Sequence, residues 1–285
     1  MTAKTITKLI PTNVKPYLKK GLEIIKTQSL LKALKEQGFS ELIDNLIKIV
    51  PDINDQYSSF QIDTPYLNTK VRGLHAFQIS LVNEVISDIE SSVIVDIGDS
   101  AGTHLQYLQG LYDNSKRMEC LSVNLDSKAV ERIRKKGLNA ALARAEDLQS
   151  YNIKADIFLC FETLEHLMNP CFFLHELSTK TNAKYLIVTV PYLKRSRVGL
   201  HHIRGARRDV VNAENTHIFE LCPTDWKLLV QHSGWKILYE KIYLQYPKHG
   251  LFRLTQPFWK IFDFQGFYGL VLKRDNTWSS KYLDW

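Results

Sequence analysis

The chain has 285 residues, 45% of them apolar, with 37 basic against 30 acidic side chains and a net charge of +7. That composition predicts a well-packed globular protein, one large domain or a medium domain plus a smaller one, and excludes a disordered chain. No apolar run approaches the roughly 18 residues of a membrane-spanning helix, and the first residues lack the apolar core of a secretory signal. The four cysteines, Cys120, Cys160, Cys171 and Cys222, are scattered without a C-x-x-C pair. They read as reduced thiols of a cytoplasmic protein, not as disulfides or a zinc site.

In chain order, residues 1–90 carry helical signals. Leu30, Leu31 and Leu34, then Leu42, Ile43, Leu46, Ile47 and Val50, recur at helical spacing before Pro51. Residues 51–72, polar with two prolines, are expected to form a long ordered loop, and 74–90 an amphipathic helix. From 93 the pattern becomes an alternation of strand-like runs (93–97, 119–125, 155–161, 185–190) with helical stretches (103–112, 127–136, 171–180). Repeated β-α units predict a parallel sheet covered on both faces. After Pro191 a basic segment runs to about 213, followed by a helix over 223–233 opened by Pro223 and strand-like pieces at 235–243 and 266–273.

The chemistry concentrates at strand ends. The first strand runs into Asp96-x-Gly98-x-x-x-Gly102, a strand–tight-turn–helix unit that brings backbone amides and a helix N-terminus to a polar ligand. A dinucleotide fingerprint requires glycine at the first, third and sixth turn positions; here Ser100 and Thr103 occupy the last two. The second strand ends at Asp126, which suits either a cis-diol of a ribose or the cap of the following helix; the first motif favours the ribose. Glu146-Asp147 falls where the third strand should end. The strongest signal is Phe161-Glu162-Thr-Leu-Glu165-His166, followed by Asn169-Pro170: a buried strand ending in a turn with two carboxylates and a histidine.

These elements, in this order, resemble class I S-adenosylmethionine (SAM)-dependent methyltransferases. The last one is similar to the E-x-L-E-H-x-x-x-P motif of the ubiquinone/menaquinone-biosynthesis-like methyltransferases. The resemblance covers about residues 90–240 and departs from the usual first motif at Ser100. It implies an α/β, Rossmann-like doubly wound sheet of seven mostly parallel strands, with a helical N-terminal cap over 1–89 and a catalytic domain over 90–285. It implies SAM as cofactor (S-adenosylhomocysteine as product), held at Asp96, Gly98, Asp99, Gly102, Asp126, Asp147, Phe161 and Glu162. The insertion after the fifth strand, about 191–217, would form the substrate lid.

On the acceptor side, an oxygen nucleophile needs a base, and the candidates are His166, His202 and His217. Lys194, Arg195, Arg197, Arg204, Arg207 and Arg208 crowd one stretch beside His201 and His202. Taken with its place outside a strand end, the run suits an anionic acceptor bound by Arg195, Arg197, His201 and Arg204, although a solvated loop has the same composition. The expected reaction is O-methylation of a small or carrier-linked anionic metabolite, with a sugar or polysaccharide intermediate as one form. The rivals are an RNA methyltransferase, for which the aromatics between Tyr243 and Tyr268 would stack bases, and a SAM-binding protein without turnover. The N-terminal lysines suit a helical cap or a peripheral contact with an anionic membrane. No ligand spacing in the sequence points to a metal.

Overall fold

The computed structural model describes residues 15–57, 61–87, 89, 91–112, 117–151, 153–199, 216–245, 254 and 266–281. Its centre is a seven-stranded sheet built from β1 (Ser91–Ile97), β2 (Arg117–Asn124), β3 (Asn139–Leu142), β4 (Ile157–Phe161), β5 (Tyr185–Pro191), β8 (Trp235–Tyr243) and β9 (Phe267–Arg274). The spatial order is β3-β2-β1-β4-β5-β9-β8. The first five strands are parallel, and β9 enters antiparallel between β5 and β8. A separate two-stranded ribbon pairs β6 (Arg197–Val198) with β7 (Phe219–Glu220).

The two-residue period of the strands sorts their side chains into two layers. Ile94, Ile157, Leu159, Ile187 and Val271 join one buried cluster, while Val95, Ile97, Phe158, Cys160, Leu186, Val188 and Leu270 join the other. The first layer is covered by α1 (Lys15–Glu36), α2 (Ser40–Ile49), α3 (Pro65–Ile86) and α4 (Thr103–Tyr112). The second is covered by α6 (Pro170–Lys180) and α7 (Pro223–His232), through Phe173, Leu174, Leu177, Trp226 and Val230. Along one edge, α5 (Ser127–Lys135) buries Ala129, Val130 and Ile133.

Helix α3 corrects the expectation of a loop over 51–72. It begins at Pro65, with the Thr64 hydroxyl accepting from Leu67 N at 3.2 Å, a polar cap with proline in the first turn. The apolar period starts only near Val71, so a hydrophobic pattern finds the helix too late. Arg72, 3% exposed, explains how its first half is held. The guanidinium donates to Val50 O (2.6 Å), Pro51 O (2.7 Å) and Tyr107 Oη (3.0 Å), tying α2, α3 and α4 together.

Phe77 is the keystone of this layer. It is fully buried, stacks on Tyr243 (centroids 5.3 Å, 29°) and meets Phe39 edge-on. Phe77→Ala is expected to cost about 3–5 kcal/mol, the range for truncating a buried aromatic. Leu31→Ala, at a half-exposed position, should change stability by less than about 0.5 kcal/mol. Equilibrium urea unfolding of the two variants checks the difference; equal effects would place Phe77 outside the core.

Candidate active site

The strand order reverses direction at β1 and β4, so the crevice between their carboxyl ends is the switch point at which open α/β sheets bind ligands. Two turns flank it. The first, after β1, has left-handed glycines, Gly98 at φ +88° and Gly102 at φ +73°. A methyl group on Gly98 would overlap the Thr163 hydroxyl, so glycine is required for packing as well as for backbone. The Thr163 hydroxyl lies 3.1 Å from Ile97 O and 3.0 Å from Phe161 O, pinning the β1 and β4 ends together. Among the described residues Ser100 is not one of the positive-φ positions, so the serine that departs from the usual motif sits on ordinary backbone. Its carbonyl, and that of Ala101, accept from Arg132 (3.2 Å) and Lys136 (2.6 Å).

The acids around this turn have different surroundings. Asp99 Oδ1 accepts from Ala101 N (3.1 Å) and Gly102 N (2.8 Å), while Oδ2 is buried without a hydrogen-bond partner. Asp96 is 1% exposed and bonded to His104 Nδ1 at 2.9 Å. His104 Nε2 in turn stands 2.9 Å from Gln78 Oε1, and Gln78 Nε2 donates to Thr189 Oγ1 at 3.2 Å. Burial, with Asp99 nearby, pushes the Asp96 carboxyl up to about 6 against the opposing pull of His104. Burial would lower His104, yet the charge and hydrogen bond of Asp96 hold the imidazole above its ordinary value. Both directions describe one proton held within the pair. Asp126 caps α5, accepting from Lys128 N at 3.0 Å, and Asp147 lies in the 3-10 turn Ala145–Tyr151 after β3.

The second turn, after β4, carries Glu162 at φ 50°, the one non-glycine positive φ among the described residues. Such backbone costs on the order of 1–3 kcal/mol and persists where surroundings enforce it. Glu162 N donates to Thr189 O at 2.9 Å, and its Oε1 is buried without a hydrogen-bond partner. Burial first, then the neighbouring Glu165 carboxyl, pushes Glu162 well above the usual carboxylate range, against the Thr189 hydroxyl hydrogen bond. Glu165 is fully buried and is raised by that burial to about 7.

The ribbon β6–β7 brings a distant histidine to this turn. Ile218 N donates to Glu165 O, and the His166 imidazole donates from Nδ1 to Thr216 O at 3.1 Å. His166 and His217 then stand ring to ring, 4.8 Å apart at 90°. His217 Nδ1 is 3.1 Å from Glu220 Oε1, and Arg197 pairs with the other oxygen of Glu220. Burial would raise Glu220, but its bonds to His217 and Arg197 hold it down to about 2. Arg197 thus enters an internal ion pair, while Arg195 is exposed. His201, His202, Arg204, Arg207 and Arg208 lie outside the described residues, as do most of the aromatics between Tyr243 and Tyr268.

No protein-family model matches the sequence, and no curated protein matches it. Solved structures do. The [4+2]-cyclase SpnF aligns at 12% identity over 84% of this chain and 95% of that one, with a TM-score of 0.52. A Galdieria sulphuraria protein described as a sarcosine dimethylglycine methyltransferase aligns at 9% identity over 73% and 88%, with a TM-score of 0.51. The chain has the class I SAM-dependent methyltransferase fold. No described helix is long and apolar enough to cross a membrane.

The sequence pattern did not assign His104, Thr189 or Glu220, which contact Asp96, Glu162 and His217, nor Gln78, which joins His104 to Thr189. Of these, only Glu220, three residues after His217, leaves a local trace.

The Asp96–His104 pair has a pH signature. A buried carboxyl raised to about 6 stabilises the fold at low pH and loses that contribution as pH rises from its unfolded value through about 6. The raised His104 acts in the same direction, its contribution being complete below about 6.5 and lost as pH rises through its folded value. Scanning calorimetry from pH 5 to 8 should therefore show the wild-type Tm falling more steeply with pH than that of Asp96→Asn. Equal slopes would remove the pair from the stability balance.

Proposed function

We propose that the chain is a SAM-dependent methyltransferase acting on a hydroxyl acceptor. The observation that carries this reading is the crevice at the β1–β4 switch point. It is bordered by the turn after β1, where Asp99 Oδ2 is a buried acceptor atom without a hydrogen-bond partner. Buried acceptors left unmet are costly, and a ligand bearing an ammonium and a sulfonium supplies the donors and charge that such an edge lacks. The residues present fit the cofactor on that ground.

When bound, SAM provides an electrophilic methyl group on sulfur. In this reading Asp99 and Glu162 hold its amino-acid end. Asp126, while capping α5, presents its second oxygen to the ribose diol, and Asp147 reaches the adenine amino group. Asp96 is a positioning residue: its bond to His104 fixes the turn that carries Gly98 and Asp99. Phe161 closes the floor of the crevice beside His104, with ring centroids 4.9 Å apart, and excludes water from the reacting centre. His166 and His217 face the acceptor side, where a hydroxyl must lose its proton as the methyl arrives. The exposed Lys194 and Arg195, just past β5, support an acceptor that carries negative charge.

Isothermal titration with SAM and with S-adenosylhomocysteine tests the first step. Saturable binding of both is expected, weakened roughly tenfold or more (about 1.4 kcal/mol or more) by Asp99→Asn and by Asp126→Ala. An Asp126→Ala affinity equal to wild type would leave Asp126 a helix cap alone, and no binding of either ligand would end the methyltransferase reading.

A further inference from the structure

The cluster at the end of β4 contains more than a base requires. Glu165 is fully buried, and its carboxyl meets the neighbouring Glu162 carboxyl, with no N–H donor on either of its oxygens. His166 Nε2 lies 3.9 Å from Glu165 Oε1, and one ligand atom each from Glu165, His166 and His217 falls within 4.8 Å of the others. Ligands at about 2.0–2.2 Å from one ion stand no more than about 4.4 Å apart, so a small inward turn of these side chains would let a single ion join them.

The orientation of both imidazoles supports an ion better than a hydrogen-bond network. His166 Nδ1 faces the Thr216 carbonyl and His217 Nδ1 faces the Glu220 carboxylate. A carbonyl and a carboxylate both accept, so each ring carries a proton on Nδ1 and turns the lone pair of Nε2 away from that partner. A metal-bound histidine has this arrangement, with an outer acceptor that fixes tautomer and ring plane. Arg197 holds Glu220 in place behind His217. One buried carboxylate and two half-buried imidazoles then bring a ligand atom each to one place.

We propose that Glu165, His166 and His217 bind one divalent cation of the first transition row. Mixed imidazole and carboxylate ligation suits Mn²⁺, Fe²⁺, Co²⁺ or Zn²⁺ better than Ca²⁺ or a soft monovalent ion. The other group of this kind, Asp96, Asp99 and His104, is unlike it, because both nitrogens of His104 are already committed to Asp96 and Gln78. A cation here would sit on the acceptor side of the crevice and draw a hydroxyl oxygen to it as a Lewis acid. That last consequence rests on the methyltransferase reading; the binding itself does not.

The test is a Co²⁺ titration of the metal-stripped full-length chain, followed by the visible d–d absorption. One equivalent is expected to bind saturably, to be displaced by Zn²⁺, and to raise the Tm, as a ligand selective for the folded state must. Glu165→Gln and His217→Ala should each weaken binding tenfold or more, whereas His175→Ala, on α6 outside the cluster, should leave it unchanged. Should Glu165→Gln unfold the chain, the half-buried His217→Ala carries the same comparison. Absence of a band, or a band that survives His217→Ala, overturns the proposal and leaves shared protons as what satisfies the carboxyl pair. Because the SAM titration is read separately, either result stands without the other.

Discussion

The structure depends on one buried polar chain. Asp96 at the end of β1 binds His104 on α4, His104 binds Gln78 on α3, and Gln78 binds Thr189 on β5. The Thr189 hydroxyl continues to Glu162 on the turn after β4. Five elements are thereby held in one register by groups that could not be left unpaired away from water. The direction of the chain is also set. Gln78 spends its amide N–H on Thr189, so its oxygen must accept from His104 Nε2, and the remaining nitrogen of His104 is left for Asp96. A satisfied network of this kind rigidifies what surrounds it, and a broken one is costly, since removing one partner strands the next. The two turns that flank the crevice stand at its two ends.

This network makes α3 part of the architecture around the crevice and not merely a cover. Its apolar residues Phe77, Ile79, Leu81 and Val82 seal one face of the sheet, and Gln78 lies among them, fully buried, because it is a link in the chain. A glutamine in an apolar helix reads in sequence as a break in the pattern. In three dimensions it is the only polar group that reaches from α4 to β5 in the described network. The N-terminal helices thus contribute to the position of the ligand turns as well as to the hydrophobic layer.

How much could be read from sequence follows from the range of each signal. Periodicity is local, so strands β1, β2, β4, β5, β8 and β9 and helices α4 to α7 were legible within a residue or two of their observed ends, while the antiparallel pairing of β8 with β9 was not. The start of α3 was not, because Thr64-Pro65 is a capping signal followed by a turn of polar residues. The strand–turn–helix unit after β1 was legible because strand, acid and glycine are contiguous. Its supporting partners were not, since His104 and Gln78 lie on helices whose facing is decided by packing. The basic segment after β5 illustrates the opposite error of scale. Six cations in a row of sequence suggest one electrostatic surface, but Arg197 is turned back to Glu220 and orders the ribbon.

That ribbon divides the labour within the site. In the turn after β1 the Gly98 amide goes to Val123 O, those of Ala101 and Gly102 go to Asp99 Oδ1, and the Ser100 and Ala101 carbonyls go to Arg132 and Lys136, while Asp99 Oδ2 is buried without a hydrogen-bond partner. The turn after β4 is incomplete without residues 216–220, because the His217 ring and the Thr216 carbonyl that orients His166 both come from there. The two turns are thus completed by different parts of the chain, the first by α5 and the second by residues 216–220, and they meet at the Thr163 and Thr189 hydroxyls.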